Sequence, residues 1–174
     1  MRISKKAREF WHSPLAGFDF WRDAGTAKFY PRLADWAINF FERELTLTNG
    51  EWRGLPFLLQ PWQKQLVGHL FGWLRPDGTR RFRKLFLYVP RKNGKTELAA
   101  GLGLIFFVAD NEPGAEVYNG ALTITQAKIL RNKIRTMIRS NPYLSERLSV
   151  PKGQHNTTIS DPDTESILQV LAAN

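Results

Sequence analysis

The chain has 174 residues, and 43% of them are hydrophobic, which is enough to bury one core. It contains no cysteine, which excludes disulfides and thiolate metal sites, and no 18-residue apolar run that would predict a membrane span. The formal net charge of +9 at pH 7 favours polyanionic partners.

Two further features of the sequence bear on metal binding and on the cellular compartment. His12, His69 and His155 lie far apart in the sequence, so we expect no metal site held by protein side chains alone. The basic N-terminus is not followed by an apolar signal core, and a reducing, cytosolic setting is expected.

Residues 1–50 are predicted to form an N-terminal arm and a helical lead-in. The first 30 residues mix basic and aromatic side chains without a clear period. From Pro31 to about Leu45, apolar residues recur at helical spacing. Thr48-Asn49-Gly50 then signals a turn, and residues 51–174 are predicted to form the rest of the fold.

A second amphipathic helix is predicted from Trp62 to Leu74, directly after Pro61. At its start, the Gln63 amide has a donor and an acceptor end, which suits the edge of an adenine, and Trp62 is suited to pack on the base. The alternative is an ordinary helix begun by proline, with Trp62 in the core.

The segment from Lys84 to Thr96 predicts a buried strand that runs into a phosphate-binding loop. Residues 85–89 are a continuous apolar run, and Gly94-Lys95-Thr96 opens an apolar helix that extends to about Val108. The N–H groups of a helix N-terminus favour phosphate. Lys95 is placed to reach the β- and γ-phosphates, and the Thr96 hydroxyl to bind Mg²⁺.

The match to G-x-x-x-x-G-K-[ST] is incomplete, because Val89 stands where the first glycine belongs. The alternative is a helix-capping turn with a solvated Lys95. That alternative explains the glycine but not the apolar elements on both sides.

A strand is predicted from Glu116 to Leu122, and Thr123 and Gln126 have the spacing of a capping box that begins the next helix. Its apolar stripe is Ala127, Leu130, Ile134 and Met137, and its five basic residues are placed on the remaining faces: Lys128, Arg131, Lys133, Arg135 and Arg139. A polyanion site and a solvated basic face both fit this pattern.

Two more strands are predicted, at residues 156–160 and 166–172, joined by an Asp-Pro-Asp turn. Strand, loop, helix, strand, helix and further strands in this order predict an α/β fold with a mainly parallel central sheet flanked by helices. Ligands in such sheets bind at the carboxyl ends of the strands, which is where the loop falls.

The motifs taken together resemble the large terminase subunits of tailed bacteriophages, the ATPases that drive DNA packaging. The resemblance rests on five blocks in order: residues 54–63, Phe71-Gly-Trp73, Arg80-Arg-Phe-Arg83, residues 89–96 and residues 116–127. It extends from about Phe40 to Ala172. It implies a P-loop NTPase domain of the RecA/ASCE-like kind, with residues 51–174 forming part of it.

The resemblance also implies roles for individual residues. The family often lacks the first glycine, so Val89 is no objection. ATP would be bound by residues 90–96, Trp62 and Gln63, with Lys95 on the phosphates and Thr96 on Mg²⁺: Pro90, Arg91, Lys92, Asn93, Gly94, Lys95 and Thr96. Arg91 matches a family arginine that senses or stabilises the γ-phosphate. A surface cation or a DNA-phosphate contact is the other interpretation of Arg91.

Partners are implied in the same way. They are double-stranded DNA, a portal protein and a small terminase subunit, in an oligomeric motor in the cytoplasm of the bacterial host. Lys128, Arg131, Arg135 and Arg139 would face DNA or a neighbouring subunit.

The family's hydrolytic Asp-Glu pair, which ends a later apolar strand, has no match in these 174 residues. Asp161, Asp163 and Glu165 lie in a proline-containing turn and are interpreted as turn formers rather than as a metal site. We therefore expect a truncation before the Walker B strand, without the C-terminal nuclease domain. The expectation for this fragment is that it binds nucleotide but hydrolyses it inefficiently.

Two other functions fit the same residues. One is a helicase-like P-loop ATPase of another branch, which nucleic-acid-stimulated strand separation would identify. The other is a non-enzymatic basic DNA-binding remnant, in which salt-sensitive binding is unaffected by Lys95→Ala or by nucleotide.

Overall fold

A computed structural model describes residues 5–12, 15, 17–109, 112–152 and 158–173. The contacts divide the chain into two units. The first unit comprises Met1–Glu42 and Leu58–Leu87, and the second comprises Arg43–Phe57 and Tyr88–Asn174. The predicted division at residue 50 differs from this partition and stays a prediction.

The first unit is mainly helical. Its elements are α1 (Lys5–His12), α2 (Phe20–Asp23), β1 (Lys28–Phe29), α3 (Pro31–Asn39), α4 (Pro61–Gly72) and β2 (Trp73–Leu74). Strands β1 and β2 pair antiparallel. After α3 the chain continues as a π-helical turn, Phe40–Glu44, so the predicted helix to about Leu45 is confirmed in extent, but its last turn is wider than an α-helical turn.

Helix α4 confirms the start of the predicted helix, with Pro61 as its first helical residue. The predicted end at Leu74 is wrong, because α4 ends at Gly72 and Trp73–Leu74 form β2. Aromatic rings from the N-terminal segment surround its buried His69, among them Trp11, Phe20 and Phe29. Trp11 is only 5% exposed. Part of the expected N-terminal arm is therefore packed into the first unit, because its aromatic side chains have apolar surface to bury.

The second unit contains the 3₁₀ turn Gly50–Trp52, α5 (Lys95–Ala109), β3 (Glu116–Ala121), α6 (Ile124–Ser140), α7 (Pro142–Arg147), β4 (Thr158–Asp161) and β5 (Ser166–Ala172). The strand order is β3-β5-β4, with β3 parallel and β4 antiparallel to β5. The α/β fold is confirmed, but the sheet is mixed. A short turn joins β4 to β5, and strands joined so closely pair antiparallel.

Helix α5 packs on one face of this sheet. Gly103 lies against Asn119 of β3, and Asn119 is opposite Val170 of β5. Val170 and Leu168 are buried on this face, whereas Tyr118 and Leu171 on the other face are 51% and 43% exposed.

The predicted buried strand at residues 85–89 is wrong. The described residues from 83 to 90 form no helix or strand, and Phe86 and Tyr88 are 92% and 90% exposed. A strand needs a neighbour for its main-chain hydrogen bonds, and no strand of the described residues pairs with this segment. The apolar composition of residues 85–89 does not by itself provide a strand to pair with.

The predicted helix from Thr123 is confirmed. The Thr123 side chain accepts a hydrogen bond from the Gln126 N–H at 3.3 Å, as an N-cap does. The predicted apolar stripe is buried throughout, with Ile134 and Met137 fully inaccessible. Across the described ranges, no helix is both long and apolar enough to span a membrane.

Candidate functional site

The chain makes a tight turn immediately before α5. Lys92 has φ of 69° and Gly94 has φ of 68°, so two residues of this loop take the left-handed conformation. Glycine adopts that conformation readily, whereas a lysine there is uncommon and must be held by its surroundings. Such turns orient successive main-chain N–H groups toward one side and favour anions.

Lys95 is the first residue of α5, and its ammonium folds back over the loop. Its Nζ donates to the main-chain oxygens of Val89 and Pro90, both at 2.6 Å. The Asn93 side chain also donates to the Pro90 oxygen, at 3.3 Å. The loop is therefore closed on itself by two of its own polar side chains.

The first turn of α5 presents donors beside this ammonium. The Leu98 N–H donates to the Gly94 oxygen at 2.9 Å, which makes it the first helical hydrogen bond, and the N–H groups before it have no helical acceptor. Thr96 is exposed on the same turn. Exposed loop residues precede it: Arg91, Lys92, Asn93 and Gly94.

This set of groups fits a phosphate and a phosphate-bound cation. Main-chain N–H groups, the helix dipole and Lys95 all favour negative charge. The Thr96 hydroxyl is an oxygen donor of the kind that Mg²⁺ accepts. Within the described part of the chain, no group of three or more His, Cys, Asp or Glu side chains could hold a metal.

Glu97, the residue after Thr96, lies at the centre of a buried polar cluster that was not predicted from the sequence. Glu97 is 9% exposed, and its Oε1 accepts from the Thr48 N–H at 2.9 Å and from the Thr48 hydroxyl at 2.7 Å. Its Oε2 lies 2.7 Å from Lys133 Nζ. The sequence shows an acidic residue directly after Gly-Lys-Thr, and this was the only hint of the cluster. Its partners lie 49 and 36 positions away, and no local sequence pattern identifies those partners.

Trp62 and Gln63 lie in the first turn of α4, in the first unit. Trp62 is half-buried, and Gln63 is 4% exposed. The Gln63 Oε1 accepts from the Gln60 N–H at 2.8 Å, completing a capping box with the Gln60 side chain. Since that bond uses the acceptor end of the amide, Gln63 would offer a ligand its nitrogen end.

The basic residues of α6 differ in accessibility. Lys128 and Arg139 are exposed, and Arg135 is half-buried. Arg131 is 6% exposed, which argues against a direct contact with DNA phosphate, and Lys133 is bound to Glu97. Of the five basic residues predicted on the remaining faces of α6, these two are therefore held inside the second unit.

Three of these arginines are spaced four residues apart, at positions 131, 135 and 139, which places them on one side of α6. Burial lowers the pKa of the Arg135 guanidinium, and the like charges of Arg139 and Arg131 lower it further. Positive charge is thus concentrated along this side.

The acidic turn between β4 and β5 is occupied by an ion pair. Asp161 is fully buried and accepts from Arg147 Nε at 2.8 Å, while the Asp163 N–H donates to Asp161 Oδ1 at 3.2 Å. Burial alone would raise the pKa of Asp161, but the hydrogen bond and charge of Arg147 outweigh it and lower the pKa. Asp161 and Asp163 thus act within the turn, in agreement with the interpretation of these acids as turn formers.

Comparisons with known proteins give the same family from sequence and from structure. Residues 61–174 match the family model of the terminase large subunit, ATPase domain. The chain is 34% identical over 119 residues to the terminase large subunit of Enterobacteria phage HK97, covering 67% of this chain and 23% of that relative. A crystal structure of the HK97 bacteriophage large terminase matches 81% of this chain and 27% of its own, with a TM-score of 0.68 and 27% identity. The chain therefore spans about a quarter of the length of either relative.

Proposed function

Because this chain belongs to the terminase large subunit ATPase-domain family, we propose that it binds ATP with Mg²⁺ through the loop of residues 90–96. The observation that carries this proposal is the turn at Lys92 and Gly94, directly before the helix that begins at Lys95. It combines a left-handed loop, a helix N-terminus and a lysine, the groups a P-loop uses to bind phosphate.

Three residues of the loop have a proposed task. Lys95 leaves the Val89 and Pro90 oxygens and pairs with the β- and γ-phosphates, exchanging neutral acceptors for charged ones. Bound Mg²⁺ would neutralise charge on the β- and γ-phosphate oxygens. Thr96 would supply one of its ligands, and exposed Arg91 would stabilise charge on the γ-phosphate.

Adenine recognition is proposed for Trp62 and Gln63. The Gln63 amide nitrogen would donate to the base, since its oxygen accepts from Gln60, and half-buried Trp62 would pack on the ring. Substitution of Gln63 should therefore weaken the binding of adenine nucleotides more than it weakens the binding of inorganic triphosphate.

From its family, we propose that the chain takes part in the ATP-driven movement of double-stranded DNA into a procapsid. The partners would be a portal protein and a small terminase subunit, in an oligomeric motor in the host cytoplasm. The accessible cations Lys128, Arg135 and Arg139 are the proposed contact with DNA or a neighbouring subunit.

The experiment that tests nucleotide binding is a titration of the purified chain with a fluorescent ATP analogue and Mg²⁺. The Lys95→Ala variant should bind about tenfold or more weakly, because a charged hydrogen bond to phosphate is lost. Gln63→Ala should bind more weakly than the unmodified chain. Lys152→Ala, an exposed lysine outside the loop, is the matched control and should bind normally.

If the unmodified chain and Lys95→Ala bind the ATP analogue equally well, the loop is not part of the nucleotide site. If the folded chain binds DNA with strong salt dependence but ignores nucleotide, the interpretation as a DNA-binding remnant replaces the ATPase proposal.

A further inference from the structure

Glu97 is a buried carboxylate on the first turn of α5, two residues after Lys95. Burying a carboxylate is unfavourable unless charge and hydrogen bonds compensate it. Thr48 supplies two hydrogen bonds and Lys133 an ion pair, so three distant segments of the second unit meet at this side chain.

The position of this cluster links it to the loop. A helix turn is rigid, so fixing the Glu97 side chain fixes the direction of the first turn of α5. Lys95 and Thr96 share that turn, and the Gly94 oxygen is bonded into it by Leu98. Displacing Glu97 therefore displaces the groups that the proposed function places on the phosphates.

We propose that Glu97 is a positioning residue of the nucleotide site, with Thr48 and Lys133 holding its carboxylate. This inference rests on the proposed function of the loop. Glu97 touches no nucleotide in this proposal. It acts by keeping the Lys95 ammonium and the Thr96 hydroxyl in the geometry that a Mg²⁺-bound triphosphate requires, as second-layer hydrogen bonds do around metal sites.

Thr48 offers the mildest test, because one substitution removes the hydroxyl and another keeps it. Thr48→Val removes the donor to Glu97 Oε1 and keeps the side-chain volume, whereas Thr48→Ser keeps the donor. If the hydroxyl positions the loop, the valine variant loses affinity for the ATP analogue and the serine variant retains it.

The experiment measures the Kd for the fluorescent ATP analogue with Mg²⁺ in Glu97→Gln, Thr48→Val, the double variant and Thr48→Ser. Circular dichroism confirms folding at the temperature of the titration. We expect a Kd about tenfold weaker for Glu97→Gln and a smaller loss for Thr48→Val. The double variant should lose less affinity than the two single losses combined, since both substitutions weaken the same buried cluster. Exposed Glu146→Gln is the control and should bind normally.

Lys95→Ala, titrated in parallel, separates this inference from the proposed function. If Lys95→Ala loses binding while Glu97→Gln and Thr48→Val bind like the unmodified chain, Glu97 has a structural role only and the inference is overturned. If Lys95→Ala binds normally, the proposed function fails and the inference fails with it. If Glu97→Gln does not fold, the Kd values of Thr48→Val and Thr48→Ser test the inference, and equal Kd values overturn it.

Discussion

His69 shows how a single polar residue is accommodated in the aromatic core of the first unit. The ring is 1% exposed, and its Nδ1 accepts from Trp73 Nε1–H at 3.0 Å. Its Nε2 lies 3.1 Å from the Trp11 oxygen, so the neutral ring carries its proton there and donates it. Burial lowers the pKa of His69 to about 4, against the usual 6.5.

This pKa predicts acid sensitivity. The unfolded chain binds a proton on His69 near pH 6.5, whereas the folded chain binds it only near pH 4. The free energy of unfolding therefore falls as the pH is lowered through this window, by about 3 kcal/mol. Urea denaturation at pH 7 and pH 4 measures the loss.

The variant that tests this prediction is His69→Gln. Removing His69 should flatten the pH dependence in that window. An equally steep dependence in His69→Gln would place the titrating group elsewhere.

At the scale of elements, α4 is shaped by two glycines that share one face. A Cβ at Gly68 would lie 2.3 Å from the Trp11 ring, and one at Gly72 would lie 2.5 Å from the Phe29 ring. Both rings pack against the helix because no side chain stands there. Alanine is a better helix former than glycine by about 1 kcal/mol, but relieving this overlap costs about 1–3 kcal/mol.

We therefore expect Gly68→Ala to lower the free energy of unfolding by about 1 kcal/mol, since overpacking outweighs the gain in helix propensity. Denaturant unfolding measures the difference. Gly120→Ala is the control, because a Cβ there meets nothing within 4 Å, and its effect should stay within about 0.5 kcal/mol. A stabilised Gly68→Ala variant would contradict the packing described here.

The ion pair between α7 and β4 is a second contact between elements. Asp161 is fully buried, so Arg147→Met would leave an uncompensated carboxylate and cost about 3 kcal/mol of stability.

The same ion pair makes stability depend on pH. Because Arg147 lowers the pKa of Asp161, the stabilisation by the pair is present above the usual pKa of 3.8 and is lost as the pH falls below that value. The double variant Arg147→Met with Asp161→Leu should recover stability in thermal unfolding, and failure to do so would show that the pair does more than cancel a buried charge.

At the scale of the whole molecule, the net charge of +9 predicts salt-dependent binding of duplex DNA. Neutralising Arg135 or Arg139 should weaken binding and reduce the slope of log K against log salt concentration by about one each, if each contacts a phosphate. Arg22→Gln removes the same formal charge from a side chain paired with Asp23 and should change the slope little. Fluorescence anisotropy across a salt series measures all three slopes, and equal losses would indicate that net charge acts without a defined surface.

Much of the fold was predictable where the determining signal is local. Pro61 begins α4 and Thr123 caps α6, because a fixed φ and a side-chain acceptor act within one helical turn. The period of the apolar residues predicted the buried stripe of α6 for the same reason. The loop residues 90–96 were also contiguous in the sequence, and the family was identifiable from five short blocks.

The sequence by itself determined the helix starts, the buried stripe of α6, the residue types of the loop at 90–96 and the family. Only the tertiary structure decided which residues find partners far away in the chain. Residues 85–89 remain unpaired because a strand depends on a neighbour. Arg131 and Lys133 are drawn inward by packing and by Glu97. Hydrogen bonds and ion pairs across tens of residues depend on the folded chain path, and no local pattern encodes that path.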